Sequence, residues 1–338
     1  MKFQILIPHY KETAEVIKPL LDSVAIQQNV DFNEVGVIIC HDGSEDDGVY
    51  EFKFVTDTSD AGDYKICANY PFKIEQYRCE HKGVSATRNA CLDHAKADYV
   101  MFCDIDDMFY NACGLWIIFR EMEIGFDSLI SLFIEESRNP DTKDPIYMNH
   151  EMDSTFVHGK VHRRKYLLEQ KIRFNDKLTI HEDSYFNILA QNLSQNVKYC
   201  QNPFYLWKWR DESVCRHDPK YILKTYGNMI DSNDALIDEF MKRGKKDKAQ
   251  FYTVFLIFDA YYTMNKPEWI DQDNQEYRDK VEKKFSEYFK KHEDIWISVP
   301  DSDKMVISNQ VRTRSVMEGM SMESVTIGQW LEHVKAIS

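Results

Sequence analysis

Three apolar runs, each closed by polar or acidic residues, limit what this chain can become. FQILI, Phe3 to Ile7, stops at Pro8; VGVIIC, Val35 to Cys40, stops at HDGSEDDG, His41 to Gly48; YVMFC, Tyr99 to Cys103, stops at Asp104, Asp106 and Asp107. A short run without polar alternation reads as a strand buried on both faces. Helical spacing lies between them. Glu12 to Gln28 sets Val16, Leu20, Val24 and Gln27 on one side, with Pro19 inside, and Ser85 to Lys96 is a second helix. Phe72 to Arg78 adds a strand. This alternation predicts an α/β fold, a mostly parallel central sheet with helices on both faces. Such sheets bind ligands beyond the carboxyl ends of their strands. The site is therefore expected where His9–Tyr10, Asp42 and Asp104–Asp107 converge.

Carboxylates as crowded as Asp104, Asp106 and Asp107 stay charged only beside water or a cation. Oxygen ligands suit Mg²⁺ or Mn²⁺, and an ion held by one or two carboxylates takes its remaining ligands from water and substrate phosphates. His158 and His162 stand at i, i+4, a spacing that can form a metal pair on a helix, without an evident third ligand.

Farther along, Lys53 to Tyr70 reads as an added hairpin, Cys113 to Met122 as a helix and Asp127 to Ile134 as a strand. From about Asp218 the pattern turns helical. Tyr277 to His292 places Val281, Phe285 and Tyr288 on one face, and Ser321 to Ile337 repeats the spacing through Val325, Trp330, Leu331 and Val334. A boundary near residue 217 is expected, with residues 218–338 a helical region. Its apolar faces can close a core of their own or pair with a second copy of the chain.

The 338 residues carry a formal net charge of −14, which argues against a duplex-DNA binder. Two basic clusters, Lys160 with Arg163, Arg164 and Lys165, and MKRGKKDK from Met241 to Lys248, read as solvated helix faces. Eight cysteines without a CxxC spacing suggest a reducing compartment, free of disulfides and structural zinc. The apolar N-terminal run is too short for a signal peptide. Phe251 to Met264 is too short for a bilayer span and carries Asp259. These features predict a cytoplasmic protein, with the inner membrane surface as one place of work, or the host cytoplasm if phage-encoded.

Four segments, in order, resemble family-2 glycosyltransferases of the GT-A fold: FQILIPHYKE, VIICHDGSEDDG, HKGVSATRNACLDHAKADYVMFCDIDDMF (His81 to Phe109) and TIHEDSYF (Thr179 to Phe186). The resemblance covers roughly the first two-thirds of the chain. It implies a catalytic domain, 1–217, with a nucleotide-binding half, 1–110, and an acceptor half, 111–217. It further implies inverting, metal-dependent transfer from a nucleotide sugar, a UDP-sugar, to a glycan hydroxyl such as capsule, lipopolysaccharide or wall teichoic acid. A second version acts on hydroxymethylated bases of phage DNA. A different class is a non-catalytic nucleotide or glycan binder on a degenerate transferase fold, against which intact Asp104, Asp106 and Asp183 speak.

By the same resemblance, Pro8 and Tyr10 form the first nucleotide turn and Asp42 accepts the imide N–H of uracil. Arg88 contacts the nucleotide from its helix. Asp104 meets the ribose or the metal, and Asp106 binds the metal, Mn²⁺ or Mg²⁺, that bridges the diphosphate. Asp183 is the base, with Glu182 beside it. His158 and Lys160, in HGKVHRRKYL, belong to an element below the acceptor. In YLWKWRDESVCRH, Tyr205 to His217, Arg210 approaches the diphosphate and His217 is an additional metal ligand. Trp207 and Trp209 stack on sugar or pack in the core. His41 departs from the family's frequent Asp-Asp-Gly-Ser.

Overall fold

The computed structural model describes residues 1–57, 62–152, 155–211, 221–266, 269, 274–317 and 326–337. The chain divides into two compact units, Met1–Ser213 and Val214–Ser338.

The first unit is built on a nine-stranded sheet. Strands β1 (Phe3–His9), β2 (Val35–Asp42), β5 (Lys73–Cys79) and β6 (Tyr99–Phe102) form one half in the order β5-β2-β1-β6, all neighbours parallel. The apolar runs are buried because both sheet faces are covered. Phe3, Ile5 and Ile7 point toward Ile17, Leu20, Leu21 and Val24 of α1 (Ala14–Ala25). On the other face lies α2 (Val84–His94), whose exit is fixed by Gln4: its Oε1 accepts the N–H groups of Lys96 and Ala97 at 2.6 and 2.8 Å.

The all-parallel run ends there. β10 (Lys160–Arg163) runs antiparallel between β6 and β8 (Ser128–Arg138). β8 then pairs in parallel with β11 (Val197–Trp207) and antiparallel with β9 (Pro145–His150), while the short β7 (Met108–Phe109) pairs antiparallel with β11. The central sheet is thus mixed, with its parallel half carrying the first three loops. Helices α3 (Gly114–Ile124), α4 (Arg164–Glu169) and α5 (Glu182–Asn192) complete the unit.

Two expectations need correction. The segment after residue 53 is not a hairpin: β3 (Lys53–Val55) and β4 (Lys65–Cys67) pair in parallel. A hairpin loop takes about two to five residues, and the longer connection here lets the chain return and run the same way. The cluster at Lys160 is a solvated helix face only at Lys165, on α4 (Arg164–Glu169). Lys160 lies buried on β10, with its ammonium on the carbonyls of Phe156 and His158; Arg163 pairs with Asp127, and Arg164 donates to the Ala97 carbonyl. Met241 to Lys248 behaves as expected, a mostly exposed turn between two helices.

The second unit is helical. α7 (Tyr226–Lys242), α8 (Lys246–Met264), α9 (Gln275–Ser298), α10 (Asp301–Met317) and α11 (Ile327–Ala336) follow the short α6 (Tyr221–Lys224). Val281, Phe285 and Tyr288 of α9 are buried, as are Trp330, Leu331 and Val334 of α11, so the apolar faces close on a core of this unit. α11 starts on a capping box: Thr326 and Gln329 satisfy each other's backbone N–H. No helix among the described residues is long and apolar enough to cross a membrane.

Candidate active site

Because β2, β1 and β6 are parallel neighbours, their carboxyl ends deliver the three loops to one sheet edge. Pro8 is the penultimate residue of β1. Tyr10 follows, exposed, and stacks on His81 at 4.8 Å with 10° between the rings. Its N–H donates to the Glu12 carboxylate at 2.8 Å. Asp42 ends β2 and is buried. Its two oxygens accept the N–H groups of Lys82 and Gly83 at 2.9 and 3.0 Å, and His81 Nδ1 stands 3.1 Å away. A carboxylate offers about four lone-pair positions, so this turn leaves Asp42 able to accept from a ligand. His81 and Glu12 are functional candidates that sequence reasoning missed; His81 opens the third family-like segment, the one signal that pointed to it.

The acidic loop splits by direction. Asp107 turns inward and is nearly fully buried. It accepts Tyr205 O–H at 2.5 Å and the Lys208 N–H at 2.9 Å. Burial, with Asp106 and Asp104 adding negative charge, pushes its carboxyl well above the usual range. Asp106 turns outward and holds Arg210 at 2.9 Å. Asp104, about 31% exposed at the side chain, accepts from Arg88 at 2.7 Å and has His158 Nε2 at 3.5 Å. Burial works against its charge, but the Arg88 guanidinium and the His158 ring hold the carboxyl well below the usual range.

Arg88 is buried between two carboxylates, with Nη2 on Asp104 and Nη1 on Glu182, each at 2.7 Å. Phe174 links the two helices: Arg88 of α2 lies over its ring, and Phe186 of α5 stacks on it. Glu182 and Asp183 begin α5 behind His181, whose left-handed φ of 64° ends the preceding turn. A helix N-terminus favours negative charge there. Burial, then the Glu182 charge, nevertheless raise Asp183 to about 7, against the pull of Arg88.

His158 and His162 do not form a metal pair. His158 lies in the turn before β10 and His162 on the strand itself, and the two rings have different surroundings. His162 is buried on β10, 2.9 Å from Ser128 Oγ, while His158 lies against Asp104 and Asp107. Buried His158 Nδ1 has no hydrogen-bond partner among the described residues. Trp207 packs with Phe133, Phe156 and His158, the core alternative. Trp209 donates its Nε1–H to Asp211 at 2.9 Å. His217 lies outside the described residues.

Ligand atoms of Asp104, Asp107 and His158 all lie within 4.8 Å of one another. Two oxygens and a ring nitrogen, with no thiolate, fit Mn²⁺ or Mg²⁺. Asp106 stands beside this group with its carboxylate on Arg210, and His217 lies outside the described residues.

A mixed sheet carrying nucleotide-type loops at its parallel half, with an acidic strand end facing a helix-borne Glu-Asp pair, defines a GT-A-type transferase fold. The sequence model described as glycosyl transferase family 2 matches residues 4–176, just over half of the chain (173 of 338). The chain belongs to that family. It is 26% identical over 238 residues to glycosyltransferase GlyA of Streptococcus pneumoniae serotype 4, covering 64% of this chain and 32% of the relative. The chain thus spans about a third of that relative's length. Solved structures of S. aureus TarS share the fold. The TarS 1-349 complex with UDP-GlcNAc superposes with a TM-score of 0.61 at 16% identity, over 96% of this chain and 93% of that one. Another TarS structure gives 0.60 at 14% identity, over 94% of this chain but 54% of that chain.

Proposed function

We propose that this chain is an inverting glycosyltransferase that moves a sugar from a UDP-sugar to a hydroxyl of a glycan, with a divalent cation at Asp104. The observation that carries this reading is the Glu182–Arg88–Asp104 bridge, which ties the acidic strand end to the helix start bearing Asp183.

Tyr10 and Asp42 bind the uracil, Tyr10 by its exposed ring and Asp42 by accepting the imide N–H. Asp104 and Asp106 would hold the cation, with Asp107 and His158 beside them on the inner side; a bound ion would supply positive charge for the leaving diphosphate. Arg210, now on Asp106, is the nearby cation for the same phosphates. Asp183, raised to about 7, takes the proton from the acceptor hydroxyl. Attack from the face opposite the diphosphate forms the new glycosidic bond as the old one breaks. The configuration inverts, and no sugar–enzyme bond intervenes. Lys160 braces the turn that carries His158, and Trp209 stands on the acceptor side.

UDP-GlcNAc is the first donor to test, because TarS is crystallised with it. UDP release from UDP-GlcNAc and other UDP-sugars with Mn²⁺ is expected to rise with a glycan acceptor and to vanish in Asp183→Asn. A chain that binds UDP but turns over no donor with any glycan overturns the catalytic reading in favour of a binding protein. Transfer only to hydroxymethylated DNA overturns the acceptor.

A further inference from the structure

One residue before Tyr10 and one before Asp42, strands β1 and β2 meet through two buried imidazoles. The parallel register sets His9 opposite His41. Their Nδ1 atoms are 2.7 Å apart, and Phe52 packs on both rings.

The outer nitrogen of each ring faces an acceptor. His9 Nε2 lies 2.9 Å from the Glu12 carbonyl oxygen. A carbonyl has only lone pairs, so this nitrogen carries hydrogen. His41 Nε2 lies 3.1 Å from Gln76 Oε1. The Gln76 amide is fixed by the backbone of Phe52, whose N–H donates to Oε1 at 3.0 Å and whose carbonyl accepts from Nε2 at 2.9 Å. Turning the amide over would set donor on donor and acceptor on acceptor, so His41 Nε2 carries hydrogen as well. Two neutral imidazoles hold two N–H hydrogens in all, both already used. Their Nδ1 atoms would then meet lone pair to lone pair, an unsatisfied buried contact. Three contacts require three hydrogens.

We infer that His9 and His41 share one proton between their Nδ1 atoms, and that this bond is a positioning element that fixes Tyr10 and Asp42 for uracil. The inference rests on the reading of those two residues as nucleotide contacts. The proton moves between ring nitrogens and solvent only; no other bond changes.

The surroundings set the charge of the pair. Glu12, from the loop after β1, has its carboxylate 3.9 Å from His9 Nε2 and favours the proton. Arg78, on β5, opposes it at both rings. Cys79, also on β5, directs its thiol at the His41 carbonyl, and Cys40 and Asp42 flank His41 on its own strand. Burial lowers both imidazoles; at His41 the charge of His9 adds to burial and the value falls to about 3. Both rings therefore resist charge, and the shared proton is held only on the acid side of the ordinary imidazole value.

The test is calorimetry of UDP binding with Mn²⁺ from pH 5 to 8, with the ionisation of free UDP measured over the same range and subtracted, beside ¹⁵N-histidine NMR of the full chain at each pH. At the acid end of this range the wild type is expected to show one shared Nδ1 hydrogen and both Nε2 atoms protonated. Its UDP affinity is expected to fall about tenfold as the shared proton leaves, a coupling of ordinary size. His41→Asn, whose amide donates to His9 Nδ1 without charge, removes the pH slope; His41→Leu weakens UDP at every pH. NMR showing two neutral rings even at pH 5, or a wild-type slope unchanged in His41→Asn, overturns the inference. Absence of UDP binding at all pH values, with the shared hydrogen present, sinks the nucleotide reading and the positioning role with it.

Discussion

Arg88 places one guanidinium nitrogen 2.7 Å from Asp104 and another 2.7 Å from Glu182. These partners stand on a strand end and a helix start that nothing local in the sequence connects. Burial alone would strip the guanidinium of its proton more easily, but the two carboxylates outweigh that effect and keep it charged. Arg88→Ala leaves Glu182 buried and unpaired. Breaking such a pair costs about 3–5 kcal/mol, and partial exposure of Asp104 places this site near the lower end. Arg88→Lys keeps the charge but cannot span both carboxylates, because its single ammonium lacks the guanidinium fork. Chemical denaturation should rank the wild type above Arg88→Lys and Arg88→Lys above Arg88→Ala, with donor turnover lost in both variants. Turnover retained in Arg88→Ala would show that the bridge is only structural.

Asp183 predicts two opposite pH effects. As a base it must be ionised, so kcat/KM for transfer should rise with pH and level off above about 7. Asp183→Asn should lose about 10²- to 10⁴-fold in rate. For stability the sign reverses. A carboxyl raised in the folded state is most stable neutral, so its ionisation penalty grows from the unfolded value of about 3.9 up to about 7 and then stays constant. Asp183→Asn carries no such penalty. Its Tm should exceed that of the wild type at pH 8, and the difference should shrink toward pH 4. Equal Tm values across that range would remove the burial argument for Asp183.

The divergence of Asp106 from Asp107 separates a functional from a structural carboxylate. Asp107 holds Tyr205 and the Lys208 N–H in a buried position. Its replacement by Ala leaves that donor pair unsatisfied, at about 1–3 kcal/mol for each buried group. Asp106 is partly exposed and pairs with Arg210. Asp106→Ala should therefore keep its Tm within a degree or two, yet need about tenfold more Mn²⁺ for half-maximal donor turnover. Chelation by EDTA should abolish turnover in the wild type and Mn²⁺ should restore it. Unchanged Mn²⁺ dependence in Asp106→Ala would hand the ion to Asp104, Asp107 and His158.

The reading from residues alone reached the strands and the loops because both are local properties. An apolar run bounded by Pro8, by Asp42 or by Asp104 announces a buried strand and its exit. It reached less far where neighbours come from distant sequence. The partners of Arg88, the stacking of His81 on Tyr10 and the inward turn of Asp107 depend on which elements face one another, and spacing carries no record of that. The i, i+4 pair at His158 and His162 misled for a related reason. The spacing has meaning only on a helix, and β10 is a strand because it closes the sheet between β6 and β8. Lys160 misled likewise: a basic cluster looks solvated until the turn at Gly159, with φ at +65°, folds its lysine back on backbone carbonyls.

His162 gives the last prediction, on acid stability. It is buried on β10 with Nδ1 2.9 Å from Ser128 Oγ. Burial, and then the Lys160 charge, lower it to about 3. An imidazole lowered in the folded state is held neutral, whereas the unfolded chain protonates near 6.5. The stability it supports is full above about 6.5 and is lost as pH falls from there through 3, because the unfolded state takes up the proton first. His162→Asn places an amide near the same hydroxyl and has no proton to gain. Its stability should be below that of the wild type at pH 8, since the smaller side chain leaves a cavity. On acidification from 6.5 to 4, however, it should lose less. Urea unfolding at fixed pH steps measures both slopes; parallel curves for the two proteins would mean that other groups carry the acid sensitivity.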